Sequence, residues 1–300
     1  MRAIVTGGAG FIGSHVVDAL LERGDEVHVL DDLSTGKRER VAEDARLHLA
    51  DIRAPDEVFD AVRPDTVLHL AAQADVRASV ERPDHDADVN ILGTLRVLEA
   101  ARRHGARIVF SSTGGAIYGE CDRPASETNE RRPLAPYGTS KLCGEEYLAT
   151  WNRLYGTSHV SLRLGNVYGP RQEPHGEAGV VAIFMGLLNE GGTPKIYGDG
   201  RQTRDYVYVL DVVRAMLAAL GRDAGGVFNI GTGTETSVLE LYDAVRRVAG
   251  SGREAELAPA RLGELQRSVL DVSLAERELG WRPQHSLDDG LTETWRWVTS

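Results

Sequence analysis

The sequence predicts an α/β fold: an open, doubly wound parallel sheet with a smaller C-terminal α/β domain. Three observations lead to this prediction. Short apolar runs alternate with segments whose apolar residues recur at helical spacing. The runs are apolar on both faces, as in parallel strands that helices cover on each side. A glycine-rich turn joins the first run to the first helical segment, and alternation of this kind implies right-handed crossovers.

The expected elements follow in chain order. Strands are predicted over Ala3–Thr6, Glu26–Leu30, Arg46–Leu49, Thr66–Leu70, Arg107–Ser111, His159–Leu164 and Val227–Ile230. Helices are predicted over Ile12–Arg23, Asp56–Val62, Asp88–His104, Tyr137–Leu154, Gly179–Asn189, Leu210–Leu220 and Val238–Val248. The third of these helices illustrates the signal, because its apolar residues keep close to helical spacing from Val89 to Ala101.

The character of the chain changes after about Gly169. Pro170, Pro174 and Pro194, together with several glycines, interrupt the alternation of strands and helices. We therefore predict a first domain over residues 1–170 and a second domain over residues 171–300. The strand near Val227 can rejoin the first sheet, so a segment near residues 205–232 is expected to return to the first domain.

Composition excludes several classes of protein. Of 300 residues, 42 % are hydrophobic and 26 % are charged, which is typical of a folded globular chain. The net charge of −11 argues against a nucleic-acid partner. Two cysteines are too few for a disulfide framework or a cysteine metal site. No apolar run approaches the roughly 20 residues of a membrane span, and no signal peptide is recognisable. We expect a cytoplasmic protein that uses no membrane and no metal.

The turn after the first strand has the pattern of a dinucleotide-binding loop. The stretch TGGAGFIG places Gly7, Gly10 and Gly13 between a strand and a helix. Such glycines permit a tight turn, close approach of the backbone to a pyrophosphate, and packing of helix on strand. The N–H groups at the helix N-terminus then face the phosphates. A ligand-free turn has the same pattern, so the context of the loop decides between them.

That context includes an acidic residue at the expected distance. The second strand ends at Asp31, 18 residues after Gly13. A carboxylate at this point accepts hydrogen bonds from the hydroxyls of an adenosine ribose and would repel a 2′-phosphate. NAD is therefore favoured over NADP. Lys37 and Arg38 lie nearby, and we interpret them as part of a solvated turn.

A tyrosine and a lysine at helical spacing indicate proton chemistry. Tyr137 and Lys141 are four residues apart at the start of a predicted helix, so they share one helix face. A tyrosine with a pKa near 10 is a poor base at neutral pH. A neighbouring ammonium and the positive nicotinamide ring of NAD would lower that pKa, so that the phenolate could take a proton from a carbinol.

The third catalytic group is expected at the end of a neighbouring strand. The strand that begins at Arg107 runs into the hydroxyls and glycines of SSTGG. We assign Thr113 to hydrogen-bond the reacting oxygen, with Ser112 as the alternative. Both Ser111 and Ser112 could instead only satisfy backbone groups of the turn.

Taken together, these residues resemble the extended short-chain dehydrogenase/reductase family, in its nucleotide-sugar epimerase/dehydratase branch. The matching stretches span residues 6–271, nearly the whole chain. They are TGGAGFIG, Asp31-Asp32, Asp51-Ile52, LHLAAQ, SSTGGAIYG, PYGTSK, RLGNVYGPRQ, GDGRQTRDYVYV, RLGEL and RSVLD.

The resemblance implies roles for particular residues. It implies that the first domain is an NAD-binding Rossmann domain, that the second binds a nucleotide sugar, and that two copies of the chain form a homodimer through a four-helix bundle. Residues implied to bind NAD are Gly7, Gly10, Phe11, Ile12, Gly13, Asp31, Asp32, Ser34, Asp51, Ile52, Leu70, Ala71, Ala72, Gln73, Asn90, Ser111, Tyr137 and Lys141. Residues implied to bind the UDP-sugar are Thr113, Gly114, Gly115, Asn166, Val180, Arg204, Tyr206, Arg261, Glu264 and Ser268.

Within the branch, the resemblance implies 4-epimerisation of a UDP-hexose such as UDP-glucose or UDP-galactose. Dehydratases of the branch place Asp-Glu directly after the strand-end threonine, whereas Gly114-Gly115 stand here. The expected reaction oxidises C4, turns the 4-keto sugar and reduces it again. The alternatives are UDP-glucuronic acid or UDP-N-acetylglucosamine as substrate, a net reductase, and a non-catalytic NAD sensor with the same fold. Ser268 lies where some epimerases carry a bulky tyrosine, so an N-acetyl group could fit.

Overall fold

The structure is a computed structural model that describes residues 1–174, 179–260 and 265–300. Its strands are β1 Arg2–Thr6, β2 Glu26–Asp31, β3 Arg46–Leu49, β4 Thr66–His69, β5 Arg107–Thr113, β6 Val160–Leu164, β7 Asn166–Tyr168, β8 Lys195–Tyr197, β9 Thr203–Arg204, β10 Tyr206–Tyr208, β11 Gly226–Ile230, β12 Thr236–Ser237, β13 Glu256–Ala258 and β14 Arg267–Ser268. Its α-helices are α1 Phe11–Glu22, α2 Asp56–Val62, α3 Val76–Glu81, α4 Pro83–Ala87, α5 Gly93–His104, α6 Gly114–Ile117, α7 Pro136–Tyr155, α8 Val180–Asn189, α9 Val209–Leu220, α10 Val238–Val248, α11 Ser273–Leu279 and α12 Leu287–Val298. A short 3₁₀ turn covers Arg38–Arg40, and a π-helical turn over Asp88–Leu92 leads into α5.

Seven strands form one parallel sheet, as predicted. Their order is β3-β2-β1-β4-β5-β6-β11, and every pair is parallel. The order reverses between β1 and β4, because β2 and β3 continue to one side and β4 to β6 to the other. A crevice opens at such a reversal, beyond the carboxyl ends of the strands, and ligands of open α/β sheets bind there.

Apolar helix faces cover both sides of this sheet. On one side α1 and α9 pack fully buried side chains such as Val16, Leu20 and Met216 against the strands. On the other side α2, α5 and α7 contribute Phe59, Leu98 and Leu148. The candidate residues near 7–13, Asp31, residues 70–73 and Thr113 stand at or directly after the carboxyl ends of β1, β2, β4 and β5.

The part of the chain after β6 forms smaller sheets. Strand β7 pairs with β10, β9 lies between β12 and β14, and β8 pairs with β13. Helices α8, α10 and α12 share a separate apolar core that includes Phe184, Leu241 and Leu291. Strand β11 lies beside β6 in the large sheet, within the segment predicted to return. The division of the chain at residue 170 stays a prediction.

Several elements differ from the sequence prediction. Strand β5 continues through Thr113 instead of ending at Ser111, because its last residues still pair with β6. The predicted helix over 88–104 begins with the π-helical turn. Helices α3, α4, α6, α11 and α12 were not predicted. Helices α3, α4 and α6 have six, five and four residues, too short for a periodic signal.

The described part of the chain shows neither a membrane-spanning helix nor a metal cluster. No described helix is long and apolar enough to cross a membrane. Among the same residues, no group of three or more His, Cys, Asp or Glu side chains could hold a metal ion.

Candidate active site

The glycine turn after β1 allows no side chain at two of its positions. Gly7 has φ +71°, and a Cβ there would lie 2.7 Å from the backbone nitrogen of Ala71. A Cβ on Gly13 would lie 2.1 Å from the carbonyl oxygen of Gly7. Helix α1 starts after Gly10, which provides no side-chain cap. The N–H groups of its first turn are therefore available to a bound anion, as the phosphates of NAD would require.

Asp31 connects the end of β2 to this turn. Its side chain is 7 % exposed. One carboxylate oxygen accepts the N–H of Ala9 at 2.9 Å, and the other accepts the N–H of Leu33 at 2.9 Å. Burial raises the pKa of Asp31, while these two N–H groups oppose the rise. Asp32 and Ser34 form a local turn next to it, in which Ser34 donates both N–H and hydroxyl to Asp32.

The other residues implied to bind NAD follow the carboxyl ends of β1, β3, β4 and β5 or contact the segments there. Backbone N–H groups of Leu70 and Ala71 each donate to the Thr6 hydroxyl at 3.2 Å, which fixes the end of β4 beside the glycine turn. Gln73 and Asn90 exchange two hydrogen bonds of 2.9 Å. The backbone N–H of Gln73 donates to the amide oxygen of Asn90, and the amide nitrogen of Asn90 donates to the carbonyl of Gln73. Of the remaining residues implied to bind NAD, Phe11 and Ile12 lie in the first turn of α1, and Ala72 follows β4. Asp51 forms an ion pair with Arg53, and Ile52 packs under α5.

Tyr137 and Lys141 lie in the first two turns of α7. Pro136 occupies the first helical position, where a missing N–H costs nothing. The N–H of Tyr137 donates to Ser79 Oγ at 3.1 Å. Lys141 Nζ donates to the Ser111 carbonyl at 2.9 Å and lies 6.0 Å from the centre of the Tyr137 ring. The ammonium thus lies between the end of β5 and the phenol.

The surroundings of this pair disfavour charge on both groups. Loss of hydration raises the pKa of Tyr137 to about 12, and the negative charge of Asp86 adds to the rise. Burial lowers the pKa of Lys141 to about 8, while Asp86 and then Glu145 oppose the fall. The residues of the protein itself therefore hold Tyr137 as a neutral phenol. The expected lowering of its pKa by Lys141 does not appear in this environment, so a further positive charge is needed to form the phenolate.

The structure distinguishes the two candidate hydroxyls at the end of β5. Ser112 Oγ donates to Glu145 Oε1 at 2.5 Å, and the Glu145 carboxylate also accepts Arg163 Nη2 at 2.6 Å. Successive side chains of a strand point to opposite faces, so Thr113 points away from Glu145. Among the described residues, the Thr113 hydroxyl has no hydrogen-bond partner. This geometry leaves Thr113 available to a substrate.

The residues implied to bind the UDP-sugar come from neighbouring strands. Asn166 pairs with Tyr206 between β7 and β10, and Arg204 pairs with Ser268 between β9 and β14. A Cβ on Gly115 would lie 3.4 Å from the Asn166 amide oxygen, so α6 also borders this region. Gly114 begins α6 and Val180 begins α8. Arg261 and Glu264 lie outside the described residues.

Sequence reasoning missed several residues of the site. Ser79 holds the start of α7, Asp86 and Glu145 act on the charge of Lys141, and Arg163 pairs with Glu145. Of these residues, only Glu145 could have been found from the sequence, because it follows Lys141 by four residues on the same helix face. The others come from segments distant in the chain and carry no local pattern.

The fold and this site define a class of protein. The chain belongs to the NAD-dependent epimerase/dehydratase family, whose model matches residues 3–231. It is similar to a UDP-glucose 4-epimerase of Mycolicibacterium smegmatis, with 47 % identity over 98 % of this chain and 97 % of that protein.

Two solved structures are similar over almost their whole length. A Thermotoga maritima UDP-glucose 4-epimerase with UDP-glucose has a TM-score of 0.97 and 46 % identity, covering 99 % of this chain and 98 % of that one. A Thermus thermophilus UDP-glucose 4-epimerase in complex with NAD has a TM-score of 0.94 and 48 % identity, covering 99 % of each chain.

Proposed function

We propose that this protein is an NAD-dependent 4-epimerase of UDP-hexoses, with UDP-glucose and UDP-galactose as the two substrates. The main support is the cluster of Tyr137, Lys141 and Thr113 beside a crevice suited to NAD, in a chain nearly half identical to UDP-glucose 4-epimerases. When bound, NAD accepts a hydride from C4 of the sugar and later returns it, so no net oxidation occurs.

The protein's own contribution is proton transfer and orientation. Tyr137 takes the proton of the C4 hydroxyl and later gives it back. We expect the positive charge of the oxidised nicotinamide, added to that of the Lys141 ammonium, to lower the pKa of Tyr137 and form the phenolate. Thr113 donates a hydrogen bond to the reacting oxygen. Asn166 and Arg204 would hold the diphosphate while the sugar turns, since guanidinium binds such oxyanions through paired hydrogen bonds.

The two glycines after Thr113 argue against dehydration. Elimination of water across C5 and C6 needs an acid and a base at the start of α6, where this chain has Gly114 and Gly115. Neither residue can transfer a proton. Interconversion of the two C4 epimers remains the reaction that this set of side chains can support.

The test of this proposal is to incubate the purified protein separately with UDP-glucose, UDP-glucuronic acid and UDP-N-acetylglucosamine and to identify the product sugars by NMR. We expect UDP-galactose from UDP-glucose, with no stoichiometric rise in absorbance from NADH. Accumulation of NADH would indicate a net dehydrogenase. Absence of turnover with all three, despite bound NAD, would indicate a non-catalytic NAD-binding protein.

UDP-N-acetylglucosamine is the second candidate substrate. Ser268 is small and stands opposite Arg204 in the register of β14 and β9, close to the region assigned to the sugar. A serine leaves space that a tyrosine would fill. The same NMR assay distinguishes the two substrates.

Removing the Thr113 hydroxyl should mainly lower activity, whereas removing the Ser112 hydroxyl should mainly lower stability. We expect Thr113→Val to lower kcat by about 10–100-fold, because it removes one hydrogen bond to the reacting oxygen. We expect Ser112→Ala to leave kcat within about threefold and to destabilise the fold by about 1–3 kcal/mol, since Glu145 loses a buried donor. Initial rates and urea unfolding of both variants measure this. A larger loss of kcat in Ser112→Ala would assign the role to Ser112.

We also propose that two copies associate through the outer faces of α5, α7 and the turn before α5. This surface carries exposed apolar side chains that would otherwise face water: Leu92 at 53 %, Tyr147 at 37 %, Leu154 at 64 % and Tyr155 at 47 %. Two helices from each copy would form a four-helix bundle. Light scattering during size-exclusion chromatography should give twice the mass of the chain, 32.6 kDa, and Leu154→Glu should shift it towards the monomer.

The proposal includes a two-part organisation, with NAD held by residues 1–170 and the returning segment, and the UDP-sugar held by residues 171–300. The topology supports it, because β11 joins the large sheet while β9 and β14 form a smaller one. A cytoplasmic location is part of the proposal as well. It is supported by Cys121 and Cys143, which are both free thiols.

A further inference from the structure

One buried carboxylate near the catalytic pair has no assigned role. Asp86 lies in α4 and is 1 % exposed. One of its oxygens accepts the side-chain amides of Asn90 at 2.9 Å and Gln73 at 3.2 Å. Both donors are neutral, and within the described residues Asp86 forms no ion pair. A buried ionised carboxylate is costly unless a positive charge compensates it, so a nearby cation is expected.

The same amides connect Asp86 to the catalytic helix. The Asn90 amide nitrogen lies 3.4 Å from Ser140 Oγ, and the Ser140 hydroxyl donates to the carbonyl of Tyr137 at 3.0 Å. Ser140 stands directly before Lys141 in α7. These contacts connect Asp86, through Asn90 and Ser140, to the helix that carries both catalytic side chains.

Lys141 is the cation next to this network, because Asp86 contacts Asn90, Asn90 contacts Ser140, and Ser140 directly precedes Lys141 in α7. Burial lowers the pKa of its ammonium to about 8, and Asp86 is the first of two carboxylates that oppose this fall. The second is Glu145, whose carboxylate is already bound to the guanidinium of Arg163 with 1 % of that arginine side chain exposed. Among the described residues, Asp86 has no ion-pair partner of this kind.

The other described groups that face Lys141 supply no negative charge. His69 on β4 lies between the hydroxyls of Thr6 at 2.7 Å and Thr94 at 3.0 Å. Burial, together with the charge of Lys141, lowers the pKa of His69 to about 3, so it is neutral. Tyr137 is held as a neutral phenol, and β5 offers only the Ser111 carbonyl and the Phe110 ring, whose centre is 4.8 Å from Nζ.

We propose that Asp86 is a positioning residue that keeps Lys141 protonated, as its buried counter-charge. The importance of this residue to the reaction rests on the proposed function. The electrostatic coupling of the two side chains can nevertheless be measured without any turnover. Asp86→Asn is a suitable change, because the asparagine oxygen can still accept from Asn90 and Gln73 while the charge is removed.

The chain has only three lysines, Lys37, Lys141 and Lys195, which makes the measurement direct. Protein labelled with ¹³C and ¹⁵N in lysine gives three side-chain signals, which Lys37→Arg and Lys195→Arg assign. Each is followed by NMR from pH 6 to pH 11. We expect the Lys141 midpoint to fall by at least about half a pH unit in Asp86→Asn, because a nearby negative charge favours the ammonium. The midpoints of Lys37 and Lys195 should not move.

Asp84→Asn is the matched control, since it removes an exposed carboxylate from the same short helix. It should leave Lys141 unchanged. If Asp86→Asn does not fold, Asp86→Ser keeps an oxygen acceptor, and the same fall in midpoint is expected. An unchanged Lys141 midpoint in a folded Asp86 variant would overturn the proposal, as would an equal shift in Asp84→Asn. Failure of the proposed epimerase activity would leave this result untouched, so the two ideas can fail separately.

In an active enzyme the same variant should also change the pH profile. Loss of the Asp86 charge lowers the pKa of Tyr137 as well as that of Lys141, because the carboxylate raises both. Both limbs of the kcat profile should therefore move to lower pH. A merely structural defect would lower kcat without moving either limb.

Discussion

Replacing Tyr137 with phenylalanine should abolish most of the epimerase activity while NAD binding survives. In the proposed mechanism this phenol takes and returns the C4 proton. Acid–base catalysis by a positioned side chain contributes about 10²–10⁴-fold, and we expect kcat for UDP-glucose to fall by that factor. The phenylalanine ring keeps the packing at the start of α7. Initial rates by coupled assay and NAD affinity by calorimetry measure the two effects.

Tyr147→Phe is the control for this experiment. Tyr147 lies on the same helix and is 37 % exposed, away from the contacts of Tyr137 and Lys141. Its replacement should leave kcat unchanged. An enzyme with Tyr137→Phe that epimerised at the rate of the unmodified protein would remove the phenol from the mechanism, and another base would have to be sought.

Replacing Arg163 with methionine should cause a large loss of stability. Arg163 is 1 % exposed, and its guanidinium binds the Glu145 carboxylate through both Nε and Nη2. It also donates to the hydroxyl of Tyr118 at 2.7 Å. Methionine fills a similar space but leaves Glu145 charged and unpaired in the interior. Breaking a buried ion pair in this way costs about 3–5 kcal/mol in the free energy of unfolding. Urea denaturation measures it.

An exposed pair of the same chemistry provides the comparison. Arg296 pairs with Glu293 on the surface of α12, where 68 % of the arginine side chain is exposed. Arg296→Met should change the free energy of unfolding by roughly 0.5 kcal/mol or less. Similar losses in the two variants would mean that the buried network around Glu145 does not hold the end of β5 as the structure indicates.

This network also matters for the reaction. Glu145 accepts the hydroxyl of Ser112, the residue directly before Thr113. The position of the strand end therefore depends on a contact between α7 and β6 through Arg163. A partly folded variant could show reduced kcat for this reason, so activity and stability should be measured on the same sample.

Much of the site could be predicted because its signals are local. The glycines of residues 7–13, the carboxylate of Asp31 and the four-residue spacing of Tyr137 and Lys141 depend on the conformation of one turn, one strand end and one helix. The parallel sheet brings the carboxyl ends of β1, β2 and β5, and with them these groups, to one edge. The alternation of strands and helices also predicted the parallel sheet correctly, because apolar residues on both faces of a strand require covering helices.

The short helices and the charge balance of the site could not be predicted in this way. Helices α3 and α4 are too short for periodicity to reveal them, yet they bring Ser79 and Asp86 against α7. The choice between Ser112 and Thr113 depended on which face of β5 meets Glu145. Contacts between residues tens of positions apart leave no pattern in the chain.

By itself, the sequence determined the class of fold, the glycine turn, and the helix face shared by Tyr137 and Lys141, since each follows from local backbone geometry and residue type. Only the tertiary structure decided the electrostatics around that pair. Packing removes water from the phenol and the ammonium, and it brings Asp86 of α4 against the helix that carries them. The interaction energy of two charges depends on the dielectric around them and on the distance between them, and folding sets both.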